Sequence, residues 1–425
     1  MTSTLIKCGK LYDGLKDELQ PDMQILVEGA HIKAVGKNLD HPADVNIVDL
    51  SDATVTPGMI DAHVHPEKMT KKPSAVTESD VYRGLATLKR AQTALEQGFT
   101  TMRCMGEFYS RSYVTIDVKR AIDQGHFRAA RLIVAHGCAT SGSHGDFSQS
   151  QASHPELCIV LEKFRSIVGD GPEFFRNAIR RERKLGYDFV KIMATGGFMT
   201  ETDSPEDQQL SDDELEMIIN TAHEVGLSVT AHAYGSELVK KLIQKGIDGI
   251  EHAAMVDEET MQMIVDNNIY VVPTFSPYDE IVTGRNEKEL LKKTPHLQAK
   301  LRHYAEELKK GRKVIVKCMN DKYAHIGYGT DYTYECGEEY SAMLRSGVDP
   351  FRILQSATKI NAEILGIDDM VGTIQPGKRA DISAWRKDLL TDHEALLDCA
   401  YVMKDGLPYP TKKAVTGGED CSTPA

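Results

Sequence analysis

The stretch Thr56-Pro57-Gly58-Met59-Ile60-Asp61-Ala62-His63-Val64-His65 sets the frame for the whole chain. A Pro-Gly turn opens onto an apolar run that ends in two histidines one residue apart. On a strand, side chains two apart leave the same face. His63 and His65 can therefore reach one metal ion while Val64 points into a hydrophobic layer. Four more polar residues stand near the ends of short apolar runs further along. Lys191 lies in Tyr187-Asp-Phe-Val-Lys-Ile-Met-Ala-Thr-Gly-Gly197, and His232 in Gly226-Leu-Ser-Val-Thr-Ala-His-Ala-Tyr234. His252 follows Gly246-Ile-Asp-Gly-Ile-Glu251, and Asp331 closes His325-Ile-Gly-Tyr-Gly-Thr-Asp331. Each run has strand length, begins near a glycine or turn residue, and follows a helix-like stretch. A (β/α)₈ barrel builds its site by placing functional groups at the carboxyl ends of successive strands. The expected fold class is therefore α/β, with a (β/α)₈ TIM barrel at its centre.

Helices are expected between the strands, at Asp80 to Glu96, Glu173 to Leu185, Ser211 to Glu224, Ser236 to Lys245 and Asp257 to Asn267. Ser211 with Glu214 three residues later is a capping-box signature. Gly98 to Arg103 and Arg131 onward fit the second and third barrel strands, and Ile269 to Phe275 the seventh. The charged stretch Asn286 to Lys317 supplies the helices that follow it. Short strands punctuated by Asp13-Gly14 and Gly29 fill the first part of the chain, and the same texture returns after Asp369. Both ends are thus expected to build one small β-sandwich, from residues 1–57 and 369–425, around a barrel at 58–368. The residues after Pro408 read as a frayed tail.

The chain has 425 residues, 41% of them hydrophobic and 27% charged, as in globular proteins. A net charge of −13 argues against nucleic acid as a partner. No apolar run is long enough to span a bilayer, and the N-terminus does not read as a signal peptide. Eight scattered cysteines with no Cys-x-x-Cys pair are expected to be free thiols in a reducing compartment, with cytoplasm the default.

The set His63-x-His65, Lys191, His232, His252 and Asp331, in that order, resembles the amidohydrolase superfamily. The resemblance runs through nearly the whole chain. Asp188-Phe-Val-Lys-Ile-Met-Ala-Thr-Gly-Gly197 is similar to the metal-dependent dipeptidase branch, with prolidase-like and arginine/lysine carboxypeptidase-like members. One departure is Cys104, where such relatives carry Asp after the arginine.

A lysine buried at a strand end tends to lose its charge. The neutral amine of Lys191 can then add carbon dioxide, giving a carbamate whose two oxygens bridge two ions, and the resemblance implies the same. His63, His65 and Asp331 would hold one divalent ion and His232 and His252 the other. Imidazole and carboxylate donors suit zinc first, manganese or cobalt next. Two ions about 3.5–4 Å apart share a bridging hydroxide, and water held this way has its pKa lowered to around 7. Asp331 is placed to move the proton from that water to the leaving amine. His144, in the loop Ser141-Gly-Ser-His-Gly-Asp146, and Tyr234, two residues past His232, are candidate donors to the substrate oxygen.

These readings converge on a binuclear amidohydrolase that cleaves the amide bond to a C-terminal amino acid in dipeptides or N-acyl amino acids. The expected partners are small-molecule substrates and further copies of the chain in a homo-oligomer. A cyclic-amide hydrolase or deaminase resembling imidazolonepropionase is the alternative on the same scaffold, with Lys191 against it. A barrel that has lost chemistry and serves as scaffold is the alternative of another class. The leaving residue (proline, arginine or lysine, or aromatic) stays open. Glu335, Glu338 and Glu339 could line a pocket for a cationic side chain, with Glu107 a weaker candidate. The favoured reading of the acidic segment is the first turn of the next helix. His136, His223 and His325 fit no ligand slot and read as structural or surface.

Overall fold

The structure is a computed structural model that describes residues 3–66, 78–107, 113–146, 167–198, 202–284, 294–323, 325–331 and 335–411. The first strands are β1 (Ser3–Leu11), β2 (Gln20–Pro21), β3 (Gln24–Glu28), β4 (His31–Gly36) and β5 (Asn46–Pro57). β5 passes through Gly58 into β6 (Met59–Val64), which opens a second, parallel sheet. That sheet continues with β7 (Phe99–Cys104), β8 (Arg131–Cys138), β9 (Phe189–Met193), β10 (Val229–Gly235), β11 (Gly249–Met255) and β12 (Tyr270–Val272), side by side in chain order.

Residues 325–331 fill the eighth place without a regular ladder. On one side Gly327 N–H donates to Val271 O at 2.8 Å and Val271 N–H to His325 O at 2.9 Å. On the other, Ala62 N–H donates to Tyr328 O at 2.9 Å and Asp331 N–H to His63 O at 2.7 Å. The ring is thus a (β/α)₈ barrel whose last strand pairs with both neighbours.

Strand alternation gives the barrel its two layers. Val190, Ile192, Val229, Ala231 and Ile250 face outward into one large core, against Ile179, Leu215, Ile218 and Leu242 of the surrounding helices. The intervening residues face inward, among them Phe189, which packs with Met105 and Ala135. Helices Asp80–Glu96, Val114–Asp123, Pro172–Leu185, Asp212–Glu224, Ser236–Gln244 and Glu258–Asp266 cover the outside. Ser211 and Glu214 form the expected capping box, satisfying two amides at the start of their helix.

β12 is shorter than the expected 269–275. Thr274 turns left-handed at φ 46°, and the amides of Phe275 and Ser276 go to the Glu339 carboxylate instead of to a ladder. Helices Pro295–His303 and Ala305–Asn320 follow, as expected from the charged stretch, of which residues 286–293 lie outside the described residues.

β13 (Ile382–Trp385), β14 (Cys399–Lys404) and β15 (Leu407–Tyr409) join the early strands in one eight-stranded sheet, in the order β15-β14-β13-β5-β1-β3-β4 with β2 on β1. Within it β1 and β5 are parallel and the other pairs antiparallel. Among the described residues no helix is long and apolar enough to cross a membrane. Cys8, Cys104, Cys138, Cys318, Cys336 and Cys399 are free thiols.

Candidate active site

Inward-facing residues at the carboxyl ends of β6, β9 and β10 bring His63, Lys191 and His232 to one end of the barrel. His252 reaches it differently. Glu251 already faces inward, so regular alternation would turn His252 outward. A left-handed backbone at His252 (φ 73°) and Ala253 (φ 49°) breaks the alternation. The His252 ring then lies 5.0 Å from that of His63 and 4.7 Å from that of His232. Asp331 is also left-handed, at φ 58°. Strain of this kind costs on the order of 1–3 kcal/mol per residue and collects at functional sites. Gly329 makes room beside the first ligand candidate: a Cβ there would stand 2.6 Å from the His63 Cβ.

Ligand atoms of His63, His252 and Asp331 lie within 4.8 Å of one another and could hold a metal ion. Asp331 Oδ1 is 3.4 Å from His63 Nε2 and 3.6 Å from His65 Nε2, so His65 reaches the same carboxylate. Ring contacts fix which nitrogens face the centre. His63 Nδ1–H donates to Glu251 Oε2 at 2.6 Å, which leaves Nε2. His252 Nδ1 is hydrogen-bonded to Thr274 Oγ1 at 2.7 Å, again leaving Nε2. His232 Nε2–H donates to the Gly196 carbonyl at 3.2 Å, leaving Nδ1. Burial, then neighbouring positive groups, hold His232 and His252 well below the usual imidazole range. They are therefore neutral, the form that binds metal.

Lys191 has no exposed surface, and its Nζ has no hydrogen-bond partner among the described residues. Burial pushes its pKa down to about 8 against the pull of Glu251 and Asp331. His63 Nε2 is likewise buried without a hydrogen bond among the described residues. A buried amine and a buried imidazole nitrogen in this state are what a bound cation and a carbamate would satisfy. The donor set fits a divalent ion.

Tyr234 stacks on His252 at 5.1 Å and 16°, and its hydroxyl is 2.5 Å from that of Tyr278, with both side chains buried. His144 stacks on His232 at 4.7 Å and 25°. Three of the four acids proposed for a cationic pocket, Glu339, Glu335 and Glu107, hold other partners, and Glu338 is exposed. Glu339 is fully buried and accepts from Phe275 N–H and Ser276 N–H at 2.6 and 2.7 Å. Glu335 accepts from Gln97 Nε2 at 2.9 Å, and Glu338 opens helix Glu338–Arg345, in keeping with the helix-turn reading. Glu107 accepts from the amides of Thr115 and Ile116 at the start of their helix. His136 is buried beside Tyr187, and His223 pairs with Asp248 at 2.9 Å.

Sequence reasoning missed Glu251, Asp61, Tyr278, Asp203 and Lys300. Asp61 accepts from His63 N–H at 3.1 Å and from Thr330 Oγ1 at 2.6 Å, joining the first strand of the barrel to the last. For Asp61 and Glu251 a signal was present, since a carboxylate inside an apolar strand needs a buried partner.

An Amidohydrolase family model matches residues 54–408. Ochratoxinase of Aspergillus niger is 25% identical over 451 residues, covering 99% of this chain and 89% of its own. A Xaa-Pro dipeptidase solved with methionine in its active site superposes with a TM-score of 0.83 at 29% identity, covering 96% of this chain and 100% of its own. A prolidase complexed with N-methylphosphonate-L-proline superposes with a TM-score of 0.82 at 26% identity, covering 97% and 100%.

Proposed function

Because the chain belongs to the amidohydrolase family and is a hydrolase of amide or peptide bonds, we propose that it releases a C-terminal amino acid from dipeptides or N-acyl amino acids, with two divalent ions as cofactors. The observation that carries this reading is the Lys191 amine, sealed from solvent and without a hydrogen bond among the described residues, amid three imidazoles and a carboxylate. Addition of carbon dioxide to that amine releases one proton and gives a carbamate able to bridge two ions. His63 and His65 through their Nε2 atoms, with Asp331, would hold one ion. His232 through Nδ1 and His252 through Nε2 would hold the other. Zinc suits these donors best. Ions held there would supply Lewis acidity, polarising the scissile carbonyl and providing a nucleophile at neutral pH.

The protein's own groups do the rest. Asp331, part-exposed at the open end of the barrel, takes a proton from the attacking water and returns it to the leaving nitrogen. Tyr234 and His144 flank the centre as donors to the oxygen on which charge develops. The low exposure of His63, Lys191, His232 and His252 keeps the reacting groups in a poorly solvated site, where such contacts are strong. The relatives named ochratoxinase, prolidase and Xaa-Pro dipeptidase support a small amide substrate that ends in an amino acid.

The test is amino-acid release from a panel of dipeptides and N-acyl amino acids, using protein loaded with zinc in the presence of bicarbonate. Release is expected from one class of C-terminal residue. No release across the panel from protein carrying two ions would overturn the substrate class. Lys191→Ala is expected to abolish activity and lower metal content, and two ions retained in that variant would overturn the bridge.

A further inference from the structure

His144 sits on the loop after β8, not on a strand, yet its ring is closely held. One face stacks on His232. Gly197 also lies close to the ring, where a Cβ would stand 2.3 Å from Cε1. Its backbone N–H donates to Gln209 Oε1 at 3.2 Å. In the plane of the ring, Nδ1 is 3.1 Å from Asp203 Oδ2.

Asp203 is held in its turn by a residue 97 positions away. Lys300, on helix Pro295–His303, directs its ammonium at Asp203 Oδ1 at 3.3 Å, at the Asp203 backbone carbonyl, and at the Gly197 carbonyl at 3.0 Å. The side chains of Lys300 and Asp203 are each 9% exposed. Ser204 Oγ and the Tyr304 hydroxyl, 2.8 Å apart, tie the same two segments a second time. Burial pushes the Asp203 carboxyl up, but the hydrogen bond from His144 and the charges of His144 and Lys300 hold it below its usual range. These contacts direct the Lys300 ammonium at the loop that carries Asp203.

We propose that Asp203, locked by Lys300, is a positioning residue that fixes the angle of the His144 ring at the centre of the barrel. The proposal rests on the reading of His144 as a substrate contact. A ring that gives its Nδ1–H to a buried carboxylate is held at one rotation about its χ angles, and the carboxylate acts on the reaction only through that ring. Lys300 prevents Asp203 from turning away and thereby couples helix Pro295–His303 to the centre of the barrel. Removing an orienting partner of this kind typically costs 10- to 100-fold in function.

The experiment compares wild type with Asp203→Asn, Lys300→Met, His144→Ala and the double variant Asp203→Asn/His144→Ala, all as zinc-loaded protein. Two readouts are used: steady-state kinetics on the best dipeptide, and the ring-nitrogen NMR signals of His144, assigned by their loss in His144→Ala. The wild-type ring is expected to be protonated at Nδ1, and Asp203→Asn to change that pattern. Asp203→Asn is expected to lower kcat about 10- to 100-fold with metal content unchanged, and Lys300→Met to do the same more weakly. In the His144→Ala background the Asp203→Asn change should cost less than about twofold, because Asp203 acts through a ring no longer present. Multiplicative losses in the double variant would overturn the proposal, as would unchanged His144 ring signals in Asp203→Asn. A wild type silent on all dipeptides would count against the proposed substrate class alone, and the ring signals would still decide the role of Asp203.

Discussion

Glu251 Oε2 stands 2.6 Å from Nδ1 of His63, with both side chains sealed from solvent. The carboxylate is held from three sides, since Glu251 Oε1 also accepts from Thr230 Oγ1 at 2.6 Å and from Arg103 Nη1 at 3.1 Å. Arg103 lies 4.3 Å over the Phe189 ring and donates to the Tyr270 hydroxyl at 2.6 Å. Burial alone would raise the Glu251 carboxyl, but Arg103 and His63 bring its pKa down to about 2. A charged, immobile layer therefore lies beneath the candidate metal centre and presents His63 Nε2 to it.

Glu251→Gln keeps the shape and removes the charge. The Gln oxygen still accepts one hydrogen bond, but Arg103 is left as a buried cation without its anion, an arrangement that costs about 3–5 kcal/mol. Loss of an orienting carboxylate typically weakens metal binding 10- to 100-fold. The variant should therefore unfold at lower denaturant concentration and release zinc to a chelator at correspondingly lower chelator concentration. Zinc retention equal to wild type would show that the Glu251 contact does not govern metal binding through His63.

How much of this was legible in the sequence depends on the range of the interaction that places each residue. His63, Lys191 and His232 obey period-2 alternation at strand ends, so spacing alone brought them together. Asp331 followed from the same rule, although its segment pairs too sparsely to register as a full strand. The position of His252 in the chain points to it, but the left-handed turn that makes it face the centre has no signal in the residues Ile-Glu-His. The same turn conceals Glu251, because one of two neighbouring residues on a strand should face away. Asp203, Lys300 and Tyr278 lie in segments without periodicity, and contacts across tens of residues bring them to the site. The acidic segment at Glu335–Glu339 could be read two ways, and burial of Glu339 against two amides decides for the structural one.

Tyr278 offers a graded test of the proposed donor. A hydroxyl has one proton, so Tyr234 can donate to a substrate oxygen while Tyr278 donates to Tyr234, in a chain that strengthens both bonds. Tyr234→Phe removes the donor and should lower kcat about 10²- to 10³-fold, the usual cost of an oxyanion donor. Tyr278→Phe leaves Tyr234 in place and removes only its support, about 1 kcal/mol or roughly five- to tenfold in kcat. Kinetics of the two variants at matched zinc content check the order. A Tyr278→Phe variant as impaired as Tyr234→Phe would mean that Tyr278 itself touches the substrate.

Asp405 joins the terminal sheet to the barrel, and its charge sets a pH window. In the turn between β14 and β15 it accepts from Arg379 Nη1 at 2.6 Å, Lys404 Nζ at 2.9 Å and Arg131 Nη2 at 3.1 Å, the last from barrel strand β8. Burial pushes the carboxyl up, yet Lys404, Arg131 and Arg379 prevail and hold its pKa at about 2, against 3.8 for an ordinary aspartate. Between those two values the unfolded chain binds the proton and the folded one does not, so stability falls as pH falls through the window. Above it the contribution is complete, and about 1–2 kcal/mol once partial exposure is allowed for. Asp405→Asn removes the charge while tolerating the left-handed backbone at this position, φ 52°. Urea unfolding of both proteins at pH 7 and near pH 3 should show the gap between them narrowing at the lower pH. A gap of the same size at both pH values would assign the loss to packing of the turn and not to its charge.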